Sequence, residues 1–454
     1  MAFQNIDQKT LGKIIQIKFT DGIYNQINST HKDFELVQGM KVSDTGARSL
    51  RFFHQTSLGP AGVQYRNPGV RAAFARAQDP GASEYEAVLK EISSTIELEY
   101  NIFERALATP EKYGDYLEMQ ISSKEAATKR RLCFDLYGDG TGVVGTVASA
   151  AVSSGKLNFT LSSANAARGS VAFFEIDDLL VLKAADGTAS DLDTNLATEP
   201  VYWKVIDKDR EARTVLLQGL DSNYAAVTIA SISVQPTAGE VFYRYGQPTI
   251  PDLTSISDYG TVSEVITGLE SLTANDARAV HGITMQGVQA GSRVSASGNA
   301  IDVSYIEKAL NKAKLAVGEN RYSYKMMIMA PEVHSAFAES KEGDRRFMTL
   351  KDDARGMMKF GYQHRNDFLE AYASDFVPLN RVYMLPELKT GQKVLQFHGT
   401  EFAPVKAPNG DEFHLLPASG GAGYQDVIAH YMKSRGVIIN NHSAAIAVLE
   451  NFTY

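Results

Sequence analysis

The part of the chain that most restricts its fold lies between about residues 46 and 100, which reads as extended strand with little around it. Arg48–His54 and Gly62–Asn67 read as short strands flanking Ser57-Leu58-Gly59-Pro60, a turn sequence. Further on, Val88, Ile92, Ile96, Leu98 and Tyr100 alternate with Glu91, Ser93, Thr95, Glu97 and Glu99. A period of two over that length predicts a strand with one wet face. The intervening Asn67–Ser83, rich in Gly, Pro, Ala and Arg, predicts a mobile loop. Together these elements describe a long two-stranded projection. A two-stranded ribbon is scarcely stable alone in water, so the pattern predicts a second surface for it to lie on.

Two helical signals bracket this region. Leu11, Ile15, Phe19, Ile23 and Ile27 recur every four residues and predict one apolar stripe, followed by a polar, loop-like stretch to about Thr45. A helix that short needs a surface to cover, whether on its own domain or on a neighbouring subunit. Glu111–Tyr137 lacks proline and predicts a rod of roughly 35–40 Å at 1.5 Å per residue. Gly138 is expected to close the rod as a left-handed cap. Its polar middle, Ser122 to Arg131, suits a half-wet helix lying across a plate.

From about 140 to 250 the pattern is β-rich. Leu157–Leu161, Leu179–Leu182, Tyr202–Ile206, Thr214–Gln218 and Val241–Tyr245 alternate with Gly, Asp, Asn and Ser clusters, and Pro248 and Pro251 mark the exit. Regular short strands between turns predict a small barrel or sandwich, read here as an inserted domain. The remainder returns to mixed α/β. Ile301–Val317 is an amphipathic helix carrying Ile306, Leu310, Ala313 and Val317, Lys325–Ala330 a buried strand, and Pro331–Ser340 a helix. Strands are expected near Lys359–Gln363, Phe368–Ala373, Arg381–Leu385, Lys393–His398, Phe413–Leu416, Val427–Met432 and Ile446–Phe452.

Composition narrows the function. The 44% hydrophobic and 22% charged residues are those of a globular protein. With 45 Lys+Arg against 53 Asp+Glu the formal charge is -8, which argues against a protein built mainly to grip nucleic acid. A container for DNA is not excluded, since its inner wall need only avoid sticking. The single Cys133 rules out an intramolecular disulfide framework, suits a reducing cytoplasm, and is expected as a buried thiol on a helix. MAFQNIDQKTLGKII has no basic segment before an apolar run, and no window approaches ~18 apolar residues, so neither a signal peptide nor a membrane span is expected.

Motifs of chemistry are few. Gly140-Thr-Gly142-Val-Val-Gly145 has the dinucleotide spelling, but a helix precedes it and β-type sequence follows, the reverse of what phosphate binding needs. A helix cap and interdomain turn is the better reading. The nine histidines show no short metal spacing, and Asp186–Asp193 lacks the calcium-loop register. No Gly-x-Ser-x-Gly elbow or phosphate-binding loop occurs, so no catalytic, cofactor or metal residue is assigned. Lys129-Arg130-Arg131 on the rod reads as intersubunit or solvated charge.

The order of arm, ribbon, rod and α/β remainder resembles the Hong Kong 97-type capsid fold of tailed-bacteriophage major capsid proteins and encapsulin shells. FTDGIYNQI (19–27), GPAGVQYRNP (59–68), EISSTIELEYNIFERA (91–106) and RRLCFDLYGDGTGVVG (130–145) resemble phage sequences, as do DRRFMTLKDDARGMMKFGY (344–362) and DFVPLNRVYML (375–385). The likeness runs along nearly the whole chain and lies in collinearity, not in one diagnostic motif. It implies an α+β architecture: an N-terminal arm (1–45), an E-loop (46–101) and a peripheral domain with spine helix (102–139). A β-barrel or sandwich insertion (140–250) follows, then an axial domain with some peripheral segments (251–390), and C-terminal β segments returning to the peripheral domain (391–454).

The resemblance also implies function. Pentamers and hexamers of the chain would form an icosahedral head around double-stranded DNA touched non-specifically, assembled in the bacterial cytoplasm without a membrane. The arm is too short to hold a fused scaffold, so a separate scaffolding protein and a portal protein are expected partners, with a decoration protein as a further candidate. Lys90, Lys359 and many Asn residues are present, yet no spacing assigns the Lys–Asn isopeptide bond of some relatives, and noncovalent closure is expected. Candidate intersubunit contacts are Leu11, Ile15, Phe19 and Ile23 in the arm, Phe52, Tyr65, Arg66, Ile92 and Ile96 in the E-loop, and Arg130 and Arg131 on the rod. Two other readings stay open: an encapsulin-like cargo shell, and an enzyme or carbohydrate-binding protein built on the β-rich domain.

Overall fold

A computed structural model describes residues 33, 37–41, 48–55, 82–99, 124, 126–162, 170–186, 200–230, 239–247, 250, 253, 256–261, 264–318, 322–341, 361–364, 367–388, 391, 393–400, 403–405, 413–417 and 424–453. The arm stripe, the Gly62–Asn67 strand, most of the Asn67–Ser83 loop, the first half of the rod, most of the Asp186–Asp193 loop, Pro248 and Pro251 lie outside these. The chain divides into two compact units, one of 1–47, 89–134 and 396–438, the other of 48–88, 135–395 and 439–454.

The first unit is organised by one long strand, Tyr424–Asn440. Lys90–Glu99 pairs antiparallel with it from Val427↔Glu99 to Gly436↔Lys90. Phe413–Pro417 and Ala403–Pro404 pair with it too, and Leu395–Gly399 is a further neighbour that carries Gln38–Lys41 in parallel at its outer side, making six strands. Gly436 of the long strand and Gly399 of its neighbour both lie against Phe397, whose ring a Cβ would approach to 2.4 and 2.6 Å. Glycine is required there because no side chain can share that space.

Two expectations are corrected here. Gln38–Lys41 is a strand, not loop, held by parallel pairing to Gln396–Gly399 at the margin of the sheet, with Gly39 and Met40 exposed. The alternating segment does not belong to the ribbon. Ser49–Gln55 pairs instead with Ala82–Val88, Phe52 opposite Tyr85, as a separate two-stranded sheet. The boundary inside 46–101 therefore falls at Val88/Leu89.

The rod is helical over 126–137 and buries Leu132, Cys133, Phe134, Leu136 and Tyr137. Its closure differs from expectation. Gly138 N donates to Asp135 O at 3.2 Å, a tightened last turn, and the left-handed residue is Gly140 at φ 84°. A Cβ on Gly140 would meet Thr267 Oγ1 at 2.9 Å and Tyr259 O at 3.1 Å, so both backbone angle and crowding demand glycine there. Asp139 then accepts from Thr141 N (2.9 Å) and Thr141 Oγ1 (2.5 Å), turning the chain into the strand Val143–Ser153.

In the second unit, the 140–250 segment is an antiparallel barrel. Thr214–Leu220, Lys156–Leu161, Val143–Ser153, Val241–Arg244, Leu179–Lys183 and Tyr202–Asp209 pair in that circuit, and the last returns to the first. Closure removes every strand edge from that circuit. Side chains alternate in and out: Tyr202, Lys204 and Ile206 are half-exposed while Trp203 and Val205 are buried. The interior is aromatic, with Phe159 edge-on to Trp203 (5.4 Å) and to Phe242 (5.1 Å), and Phe174 against Phe242 (5.9 Å).

The rest of the unit is a six-stranded mixed sheet ordered Ser292–Ser295, Ala447–Glu450, Arg381–Leu388, Tyr322–Met329, Asp367–Ala373, Gly361–His364. Val303–Val317 covers it with Ile306, Ala309, Leu310 and Ala313; it opens on Asp302, whose carboxylate accepts from Ser304 N, and stops at Gly318, φ 88°. Pro331–Lys341 adds Val333 and Phe337 to the same core. Pro386 sits at a register shift opposite Tyr324, where a residue without an N–H can be accommodated. Ala447–Glu450 lies inside this sheet, parallel to Ser292–Ser295 and antiparallel to Arg381–Leu388. Residues 396–438 fall in the first unit and 439–454 in the second.

Candidate assembly surfaces

The ribbon is the first candidate surface. Tyr85 and Ala87 are buried on one face, and Glu84 and Glu86 project from the other. Phe52 is half-buried with its ring 5.8 Å from that of Tyr85. Arg51 pairs with Glu84 at 3.6 Å, and Ser49 Oγ donates to Glu86. The ribbon is thus one-sided, with an aromatic pair below a charged outer row. Both sides of the outer row stay solvated, so the Arg51–Glu84 pair contributes little to stability.

The second candidate surface is the strand Lys90–Glu99. Ile92 is half-buried, whereas Ile96 is 3% exposed. Ile96 pairs with His430 across the ladder and is buried within its own chain. Arg435 Nε reaches Glu91 Oε2 at 3.2 Å across the same pair of strands. On the rod, Arg130 is exposed and Arg131 half-buried. Leu11, Ile15, Phe19, Ile23, Tyr65 and Arg66 lie outside the described residues. The structure thus brings Phe52 onto the ribbon and places Ile92 and Arg130 on separate elements.

A site that sequence reasoning missed lies within the mixed sheet. Glu270, 2% exposed, sits in the short helix Leu269–Leu272. Its carboxylate accepts from Arg293 Nη1 (2.8 Å), Arg381 Nε (3.1 Å), Arg381 Nη2 (3.1 Å) and the Tyr383 hydroxyl (3.0 Å). Glu450 adds a second carboxylate 3.1 Å from Arg293 and 3.6 Å from Arg381. Arg293 also donates to the Thr273 carbonyl at 2.8 Å and to the Glu270 carbonyl. Burial alone would raise the Glu270 pKa, but Arg381 and then Arg293 reverse this and hold it well below the usual carboxylate range. Burial, with the Glu270 charge next, pushes the Tyr383 phenol well up, so it stays a donor. Two guanidiniums facing two carboxylates make a neutral clasp that joins the short helix to three neighbouring strands of the sheet, Ser292–Ser295, Ala447–Glu450 and Arg381–Leu388. Glu270, Arg293 and Arg381 are nearly excluded from water, and Glu450 is partly exposed at the margin of the cluster.

The glycines spelled like a dinucleotide site serve the turn at 138–145. Gly145 lies against Phe174, whose ring a Cβ would approach to 2.7 Å, and a strand, not a helix, follows. Among the described residues no group of three His, Cys, Asp or Glu is placed to hold a metal, and no helix is long and apolar enough to cross a membrane.

Comparison with solved structures gives matches along nearly the whole chain. A cyanophage A-1(L) capsid asymmetric unit matches at 9% identity and TM-score 0.48, covering 93% of this chain and 92% of that one. The capsid of an empty GTA particle matches at 10% and 0.42, over 92% and 94%. The holo-SrpI encapsulin complex from Synechococcus elongatus PCC 7942 matches at 11% and 0.41, over 100% and 99%. The structures it resembles are capsids and an encapsulin. No protein-family model and no curated protein sequence matches the chain.

Proposed function

We propose that this chain is the major capsid protein of a tailed bacteriophage, a non-enzymatic subunit whose pentamers and hexamers close an icosahedral head around double-stranded DNA. The observation that carries the reading is the ribbon Ser49–Gln55/Ala82–Val88, a two-stranded sheet joined to no other described strand. One face of the ribbon, with Tyr85 and Ala87, is already covered within the chain, and what remains for another copy to cover is its outer row of Arg51, Glu84 and Glu86 with half-buried Phe52 at the edge. The collinear phage-like stretches support the same reading. In this scheme Phe52, Ile92, Arg130 and Arg131 reach neighbouring copies, and the arm of 1–45 covers an adjacent subunit. Many weak contacts per subunit then act together to close the shell. A separate scaffolding protein, a portal and a decoration protein complete the assembly, which takes place in the host cytoplasm and ends in the virion.

The structure sharpens the test. Removing all of 46–101 would take away Lys90–Glu99, a strand of the first unit's sheet, and unfold the chain for a trivial reason. Replacing 56–81 by a short Gly-Ser turn keeps both ribbon strands and that strand intact. Co-expressed with its neighbouring genes and viewed by electron microscopy, this variant is expected to fold yet form no closed shells. Normal particles from it would refute the reading. Closed parent particles filled with protein cargo and no DNA would transfer the chain to the encapsulin class.

A further inference from the structure

Three tyrosines gather on the outer wall of the barrel. Tyr202 and Tyr224 stack with ring centroids 5.1 Å apart and planes 11° apart. Tyr245 stands nearly perpendicular to both, 4.9 Å from Tyr202 at 79° and 6.4 Å from Tyr224 at 84°. The Tyr224 hydroxyl donates to that of Tyr245 at 3.2 Å. Tyr224 and Tyr245 are each 49% exposed. For Tyr224 this is what a ring shows when one face is stacked and the other is in water.

The turn that carries Tyr224 is built to hold it there. Tyr224 has φ 60°, a left-handed backbone that a bulky residue seldom adopts. Asp221 fixes the loop from inside: its carboxylate accepts from Asn223 N (2.8 Å) and Ala225 N (2.9 Å), and its carbonyl from Tyr224 N (3.0 Å). Ser222 and Asn223, the two residues before it in the turn, are exposed. Strain retained in a braced turn in order to display an aromatic face is a feature of recognition sites.

We infer that this tyrosine cluster is a binding site for a neutral saccharide, one pyranose ring lying on the free face of Tyr224 with its hydroxyl groups toward Tyr245, Ser222 and Asn223. The chemistry of the patch selects that class. Three side chains cover far less than the ~800 Å² per partner of a stable protein interface. The groups at the centre are uncharged, and the hydrogen bond to Tyr245 pushes the Tyr224 phenol up to about 12, so it stays neutral. A flat apolar face beside hydroxyl donors and acceptors matches a ring that is itself apolar on its face and polar at its rim. Repetition over an assembled shell would turn a weak single site into firm attachment, but the site itself does not depend on the capsid reading.

The test uses the full-length protein and saturation-transfer NMR with neutral glucosides, galactosides and N-acetylhexosamine oligomers. The single Trp203, 1% exposed inside the barrel, reports by its emission that each variant remains folded. Saturable transfer to the ring C–H protons of at least one saccharide is expected, with an affinity near the roughly millimolar range of single weak sites. Tyr224→Ala should weaken it roughly tenfold and Tyr245→Phe roughly threefold, with Trp203 emission unchanged. Failure of every saccharide, or equal binding by folded Tyr224→Ala, overturns the proposal. So does a proline-rich peptide titrating the patch where sugars do not, or a Tyr224→Ala variant that alters only particle assembly.

Discussion

Exchanging Glu270 for glutamine tests whether the clasp holds the mixed sheet together. The substitution keeps the shape and removes one negative charge, leaving Arg293 and Arg381 to share Glu450 alone, two positive groups against one. Both guanidiniums are nearly excluded from water, at 6% and 7% side-chain exposure, so solvent cannot replace what is lost. Taking one partner from a buried pair costs about 3–5 kcal/mol. At roughly 1.5 °C per kcal/mol for a unit of about 300 residues, Glu270→Gln should lower Tm by roughly 4–8 °C in calorimetry of the unassembled chain at neutral pH. The pH dependence has a definite sign. The folded Glu270 pKa lies below its ordinary value of 4.5, so the contribution is complete above that pH and is lost as pH falls toward the folded value. The gap between parent and variant should therefore narrow in acid. A Tm within about 1 °C of the parent at neutral pH, or a gap constant down to about pH 3, would refute the reasoning.

Two further substitutions address the barrel and the body. Phe159→Ala removes the ring at the centre of the barrel's aromatic core and should cost about 3–5 kcal/mol. Chemical denaturation followed by Trp203 emission should show a lower midpoint and a redder native spectrum, whereas an unchanged midpoint would mean the barrel core is organised otherwise. Gly291→Ala would set a Cβ 1.8 Å from the Thr273 carbonyl oxygen, a backbone atom that cannot turn aside. A loss of about 3 kcal/mol or more is expected, read as a drop in soluble yield and in Tm; parent-like stability would show that the backbone there relaxes freely.

Much of the local structure was legible in the residues because it is governed by neighbours in the chain. The alternation at Tyr202–Asp209, the stripe of Ile306, Leu310 and Ala313, and the apolar run ending at Met329 each carry their own periodicity. The buried Cys133 and the absence of a phosphate-binding context for Gly140, Gly142 and Gly145 followed from the same kind of reading. Candidate contact residues were less legible. Ile92 and Ile96 share one face of one strand, yet one is half-buried and the other fully buried, a difference set by what lies across the sheet.

What the sequence alone determined is where the chain extends, coils and turns, since period and turn chemistry act over a few residues. Which strands meet was decided only by the tertiary structure. Glu91 finds Arg435 across 344 positions, and Glu270 finds Arg381 across 111. A strand's alternation says that one face is apolar, not which other strand covers it. A lone buried carboxylate likewise looks the same in sequence as a solvated one until the arginines that neutralise it are brought alongside.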